Sequence, residues 1–219
     1  MEQLRRLGLG RCVLQADGEP ATRAFIKDVI EGVCSESTMG IAAAHSAAHD
    51  HMSNGDVERA AREVKNQVRV MDCALTRRVG PVPSTPPEFD RMVEWAGELI
   101  SGALVGKDGM TAFRRLRGRD WQPKIAEFGE QVLARRPRAS AQQHLEPRWD
   151  PVTYLGTRWG SVEHWVADAD GKATRVHTIR RVPEESRWVP DVVLNITGLP
   201  NEPGRSGEPG DRPVQPPAV

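Results

Sequence analysis

Between Ser53 and Arg78 the apolar residues Val57, Ala60, Ala61, Val64, Val68, Met71 and Leu75 recur at three- and four-residue steps. That spacing predicts one long helix whose apolar stripe covers about a third of its circumference, and so a helix lying on a core. Glu58, Arg62, Lys65 and Arg69 recur at the same steps on a neighbouring stripe. The pattern places one carboxylate in the first turn with a basic ladder running away from it. Asn54-Gly55-Asp56 precedes the helix, with Asp56 a candidate N-cap or first-turn acid that suits the helix dipole.

The flanking patterns are shorter. Arg11 to Ala16 is an apolar-rich run that stops at Asp17-Gly18-Glu19-Pro20, as a strand ending in a turn does. Pro20 then opens a helical pattern with Ala21, Phe25, Val29 and Val33 on one face. From Ser35 to Asn54 small residues show no sustained period, and a mobile loop is expected. After a proline-rich connector from Pro81 to Pro87, Pro87-Glu88 opens a helix with Met92, Trp95, Ala96, Leu99, Ile100 and Ala103 on its apolar face. Val105 to Arg119 reads as one more short helix with a basic exposed side.

The period changes at Ile125. Ile125–Ala134, Val152–Leu155, Val162–Ala167 and Ala173–Val182 are strand-like runs, and Ala169-Asp170-Gly171-Lys172 is a hairpin turn between the last two. Such runs predict a small β-barrel-like or curled-sheet domain, in which Trp149, Trp159, Trp165 and Trp188 more often serve core or rim packing than base stacking. Arg135 to Gln143 is a basic and polar connector, as able to be solvated as to follow phosphates. Beyond Gly198 proline, glycine and charge leave almost nothing to bury, so residues 199–219 are expected to be disordered. The expected organisation is residues 1–120, residues 121–198 and that tail, with α/β or α+β character overall.

Composition narrows the setting. The 219 residues carry a formal net charge of zero, which argues against wholesale coating of nucleic acid and leaves room for local basic faces. Cys12, Cys34 and Cys73 are odd in number and far apart, as reduced thiols in an intracellular compartment are. No apolar run approaches the ~20 residues of a membrane span, and Met-Glu-Gln-Leu-Arg-Arg lacks a signal-peptide core. No membrane partner is expected.

Two acidic positions and three histidines are the candidates for chemistry. Asp17 is expected at the carboxyl end of a strand just before a helix, where α/β folds commonly place reactive groups, although Asp-Gly is equally a turn dipeptide. His45, His49 and His51 fall in the unpatterned segment, where two histidines four apart would share a helix face around a metal ion. The plainer reading has them meet solvent or phosphate.

Taken together, the aspartate closing a strand in D-G-E-P-A and the N-G-x-V-E-R that opens a long helix resemble the second and third carboxylates of the retroviral and retrotransposon integrase core. The stretch V-G-K-D-G-M-T-A-F-R-R-L-R-G-R, from Val105 to Arg119, is similar to the segment that closes that core in long-terminal-repeat elements; Gly106, Lys107, Thr111, Phe113, Leu116, Gly118 and Arg119 are in register, while Ala112 and Arg114 depart from it. The resemblance implies a partial ribonuclease H-like core followed by a small β-rich domain. It implies that Asp17 and Glu58 are catalytic and hold a divalent ion, magnesium or manganese, that activates a water or a DNA 3'-hydroxyl. It further implies that Arg62, Lys65 and Arg69 touch DNA phosphates.

Two departures shape the expectation. The interval from Asp17 to Glu58 is several positions longer than the family pattern, and the family's first aspartate would lie well before Asp17. The resemblance therefore implies a downstream part of an integrase core, with two of three metal-binding carboxylates and no strand transfer by this chain alone. Its implied partners are element-end and target DNA and further copies in a homo-oligomer, in the nucleus or a virus-like particle. The rival reading is a catalytically inactive integrase-derived nucleic-acid-binding module. A third class, a histidine-rich metal-binding regulator, rests on His45, His49 and His51 alone.

Overall fold

The computed structural model describes residues 10–16, 19–36, 40–45, 55–81, 86–135, 147–158, 161–194 and 196. Asp17, His49, His51 and residues 199–219 lie outside the described residues. Contacts divide the chain into two units, Met1–Glu63 and Val64–Val219. Among the described residues, no helix is long and apolar enough to cross a membrane.

In the first unit, β1 (Arg11–Ala16) leads into α1 (Pro20–Glu36) and then β2 (Gly40–His45). The two strands pair in parallel, with Arg11 opposite Gly40 and Ala16 opposite His45, and α1 packs on both. A parallel pair needs such a crossover, and α1 supplies it. The segment expected as a loop from Ser35 to Asn54 thus contains a strand. Gly-Ile-Ala-Ala-Ala has little strand propensity and no alternation, so pairing with β1 rather than local pattern makes it extended. The buried face of α1 also differs from expectation: Ile26 is buried, whereas Phe25 is 66% exposed.

The long helix α2 (Gly55–Val79) appears as expected, with Asp56 and Glu58 in its first turn and Arg77 and Arg78 in its last. Its apolar stripe is buried only from its middle onward. Val68, Met71 and Leu75 are in the core and Val64 packs against it, while Val57 is 65% exposed. Gly129, at φ 82°, lets the loop before the sheet approach this helix; a Cβ there would lie 2.5 Å from Leu75 Cδ1.

The second unit sets α2 from Val64 onward, α3 (Pro86–Ala103), α4 (Ala112–Arg117) and α5 (Pro190–Leu194) with one sheet. That sheet contains β3 (Gln131–Arg135), β4 (Trp149–Thr157), β5 (His164–Ala167), β6 (Ala173–Val176) and β7 (Ile179–Arg181). Its order is β6-β5-β4-β3-β7, antiparallel throughout. The four strands β3 to β6 pair in sequence order, and β7 returns beside β3. The sheet is open, with β6 and β7 at its edges, so the curled-sheet form of the expectation holds and the barrel form does not. The fold class is α+β, as expected.

Two strand expectations are redrawn. Of Ile125–Ala134 only the part from Gln131 is a strand, and Ala173–Val182 divides into β6 and β7 around His177 and Thr178. The hairpin turn is as expected: the Asp168 carboxylate accepts from the amides of Asp170 and Lys172, and Gly171 takes φ 78°. One core joins the helices before residue 120 to the strands after it, including Met71, Leu75, Met92 and Trp95 with Val132, Tyr154, Val166 and Ile179. The change of period near residue 120 marks the passage from helices to strands.

α3 meets β4 closely. The register of β4 on β5 shifts between Tyr154 and Gly156, and Gly156 has φ 113°. A Cβ on Gly156 would lie 2.7 Å from Arg91 Nη2 and 2.8 Å from Trp95 Cδ2. Trp95 in turn meets the Tyr154 ring edge-on, at 6.0 Å between centroids.

Candidate nucleic-acid interface

Glu58, Arg62, Lys65 and Arg69 are all exposed on α2. At 3.6 residues per turn their row lies about a third of the circumference from Val68, Met71 and Leu75, so burying the apolar stripe leaves the ladder facing outward. The three cations extend over about 10 Å of helix axis at 1.5 Å per residue. Arg69 Nη1 donates to Asn66 Oδ1 at 3.5 Å, and Arg59 pairs with Asp56 at 3.5 Å in the first turn. Among the described residues no carboxylate pairs with Arg62, Lys65 or Arg69, and such a row of unneutralised cations favours a polyanion.

Glu58 has no such company of ligands. Among the described residues no group of three histidine, cysteine, aspartate or glutamate side chains gathers to hold a metal ion. Asp17, its expected partner, lies outside the described residues. His45 is the last residue of β2, while His49 and His51 lie outside the described residues.

The Val105–Arg119 segment folds as a capped unit. Thr111 Oγ1 accepts from the Arg114 amide at the N-terminus of α4, Gly118 takes φ 68° at its C-terminus, and Phe113 is buried. Two of its arginines are engaged by neighbouring acids. Arg115 clamps Asp108 through Nε at 2.8 Å and Nη2 at 2.5 Å, and Arg114 pairs with Asp120 at 3.3 Å. The Arg115 hydrogen bonds hold the Asp108 carboxyl well below the usual carboxylate range. These arginines brace a loop against a short helix.

Two polar clusters in the second unit escaped the sequence reading. Arg91, 3% exposed, donates through Nε to the Leu155 carbonyl at 2.8 Å and through Nη2 to the Thr157 carbonyl at 2.6 Å, while Nη1 pairs with Glu94 at 2.8 Å. Glu98 lies beside it, 3.5 Å from Arg91 Nη2, and accepts from Thr157 Oγ1 at 2.7 Å. Burial pushes the Glu98 carboxyl up to about 7 against the opposing charge of Arg91. Nearby, burial lowers the His164 pKa.

The second cluster surrounds Glu130, which is fully buried. Arg181 grips both its oxygens at 2.7 and 2.6 Å, Arg187 Nε lies 3.4 Å from Oε1, and the Glu127 amide donates to Oε2 at 3.0 Å. These groups tie the loop before β3 to β7 and to the turn after it. Nothing in the period of the sequence marks them, because each charged residue sits at a position that a hydrophobic pattern leaves to solvent. The one available signal was the place of Arg91 and Glu98 beside Met92, Trp95 and Leu99, at the margin of the apolar face of α3.

No protein-family model and no curated protein matches the chain. Among solved structures, a chain of the cryo-EM structure of the simian T-cell lymphotropic virus intasome in complex with PP2A regulatory subunit B56 gamma is similar over 78% of this chain and 58% of that one. The identity is 17% and the TM-score 0.35. The present chain thus spans less than two thirds of that neighbour's length.

Proposed function

We propose that the protein binds DNA through the exposed face of α2, in a role connected with DNA integration of the retrotransposon type. The observation that carries this reading is the row of Arg62, Lys65 and Arg69, exposed and outside the core stripe of the same helix. Phosphate contacts of that kind set affinity and position without reading sequence. In this role the partners are element-end and target DNA and further copies of the chain, and the place of action is the nucleus or a virus-like particle. Asp17 and Glu58 would hold magnesium or manganese, whose chemistry there is activation of a water or a DNA 3'-hydroxyl; Glu58 supplies one charged oxygen ligand from the first turn of α2.

The rival is the same DNA contact without catalysis. Both readings are tested by binding of the full chain to two duplexes of unrelated sequence. Replacing Arg62, Lys65 and Arg69 together by alanine should weaken both complexes by similar factors, and undiminished binding would contradict the proposal. Titration of the chain with manganese, run beside that binding measurement, separates the two readings: the first expects a bound ion that Glu58→Gln loses, the rival expects none.

A further inference from the structure

The face of the five-stranded sheet that carries alternate residues of β3 holds a second basic surface, far from α2 in sequence and built differently. Gln131, Leu133 and Arg135 point to one side of β3, since Val132 and Ala134 between them are buried. Leu133 lies between Arg180 of β7 and Pro151 of β4, and Arg135 lies directly opposite Trp149. Opposed residues of antiparallel strands share a face, with Cβ atoms about 5 Å apart. Arg180 completes the group, its guanidinium carbon 4.3 Å from the centre of the Trp149 ring. Arg135, Arg148, Pro151 and Arg180 are exposed, and Trp149 is half-buried. The nearest carboxylate in sequence, Asp150, alternates to the other side of β4.

We propose that this face, with Trp149 and the Arg180 guanidinium as stacking planes and Arg135 beside them, is a binding site for single-stranded nucleic acid. The chemistry selects the occupant. Arg135 and Arg180, neither paired with a carboxylate among the described residues, call for an anion, and Arg180 over Trp149 presents adjoining π surfaces that an ammonium or an aliphatic rim would not. Unpaired bases offer a face to such planes while their phosphates meet the flanking guanidinium groups; a duplex keeps its bases stacked on one another. An acidic peptide satisfies the arginines and leaves the aromatic plane without a role. The inference rests on the reading of the chain as a nucleic-acid-binding protein, and places an unpaired strand on residues distinct from the α2 ladder.

The test uses the full chain, a short oligothymidine, a duplex of the same length and a polyglutamate peptide, followed by fluorescence anisotropy. Trp149→Ala should lower affinity for oligothymidine by about tenfold, in line with loss of one stacked base, and leave duplex affinity within about twofold. Trp149→Phe, which keeps a ring, should recover most of the loss, and Arg180→Ala should act in the same direction as Trp149→Ala. Replacing Arg62 and Lys65 instead should weaken the duplex and spare oligothymidine. Equal loss for both nucleic acids from Arg180→Ala with none from Trp149→Ala would overturn the proposal, as would tighter binding of polyglutamate than of oligothymidine. Duplex binding that depends on the α2 ladder, with oligothymidine indifferent to Trp149 and Arg180, would remove this inference and leave the proposed function standing.

Discussion

Thr157 Oγ1 donates to Glu98 Oε2 at 2.7 Å, and both side chains are buried where α3 lies on β4. The hydrogen bond and the charge of Arg91 favour the carboxylate, yet burial outweighs them and the Glu98 pKa rises from 4.5 to about 7. Between those values the folded chain holds a proton that the unfolded chain has released. Stability contributed by protonated Glu98 is thus fully present below about pH 4.5 and is lost as pH rises towards 7, by at most about 3 kcal/mol. Arg91 and Glu94 are the charged neighbours that set this balance. Glu98→Gln keeps an oxygen for Thr157 and removes the charge, so the unfolding free energy of that variant should vary less across this window. Parallel pH profiles of variant and parent would contradict the assignment.

Glu130 should be costly to lose. With Arg181 and Arg187 on its oxygens and no exposure of its own, Glu130→Ala leaves two guanidinium groups without their shared acceptor. Arg181 is 43% exposed and can turn to water, which places the loss near the lower end of the ~3–5 kcal/mol typical of broken buried pairs. Urea unfolding should show a lower midpoint at unchanged slope. A midpoint shift smaller than that of a surface substitution would show that the cluster holds nothing together.

Gly156 should not tolerate alanine. Its φ of 113° strains any side chain, and the added Cβ would press on the Arg91 guanidinium and the Trp95 ring. Gly156→Ala should cost about 2–4 kcal/mol, the combined range for backbone strain and overpacking. Thermal unfolding of variant and parent measures it directly, and an unchanged midpoint would contradict the close approach at Gly156.

What the sequence made legible follows from where the physical signal is local. The stripe on α2 and the face of α3 are periodic, so these elements could be read residue by residue. β2 could not, because Gly40 to His45 is extended through its partner Arg11 to Ala16 rather than through its own composition. Phe25 and Ile26 show the same limit: adjacent apolar residues on α1 cannot both face the strands, and the packing buries Ile26. The candidate site divides likewise. Exposure of the Arg62, Lys65 and Arg69 row follows from helical spacing, whereas the approach of Arg180 to Trp149 depends on a strand that returns from the end of the sheet to lie beside its first.

The salt dependence of duplex DNA binding tests the central claim most directly. A protein that neutralises phosphates with lysine and arginine releases counterions, so log K falls linearly with log salt at about 0.9 per phosphate contact. Affinity of the full chain for a fixed duplex, measured between about 50 and 200 mM salt, should follow such a line. Replacing Arg62 and Lys65 by alanine should make that slope shallower by about 2, with the same change for a duplex of unrelated sequence. An unchanged slope would mean that the α2 ladder faces solvent and that DNA, if bound, is held elsewhere.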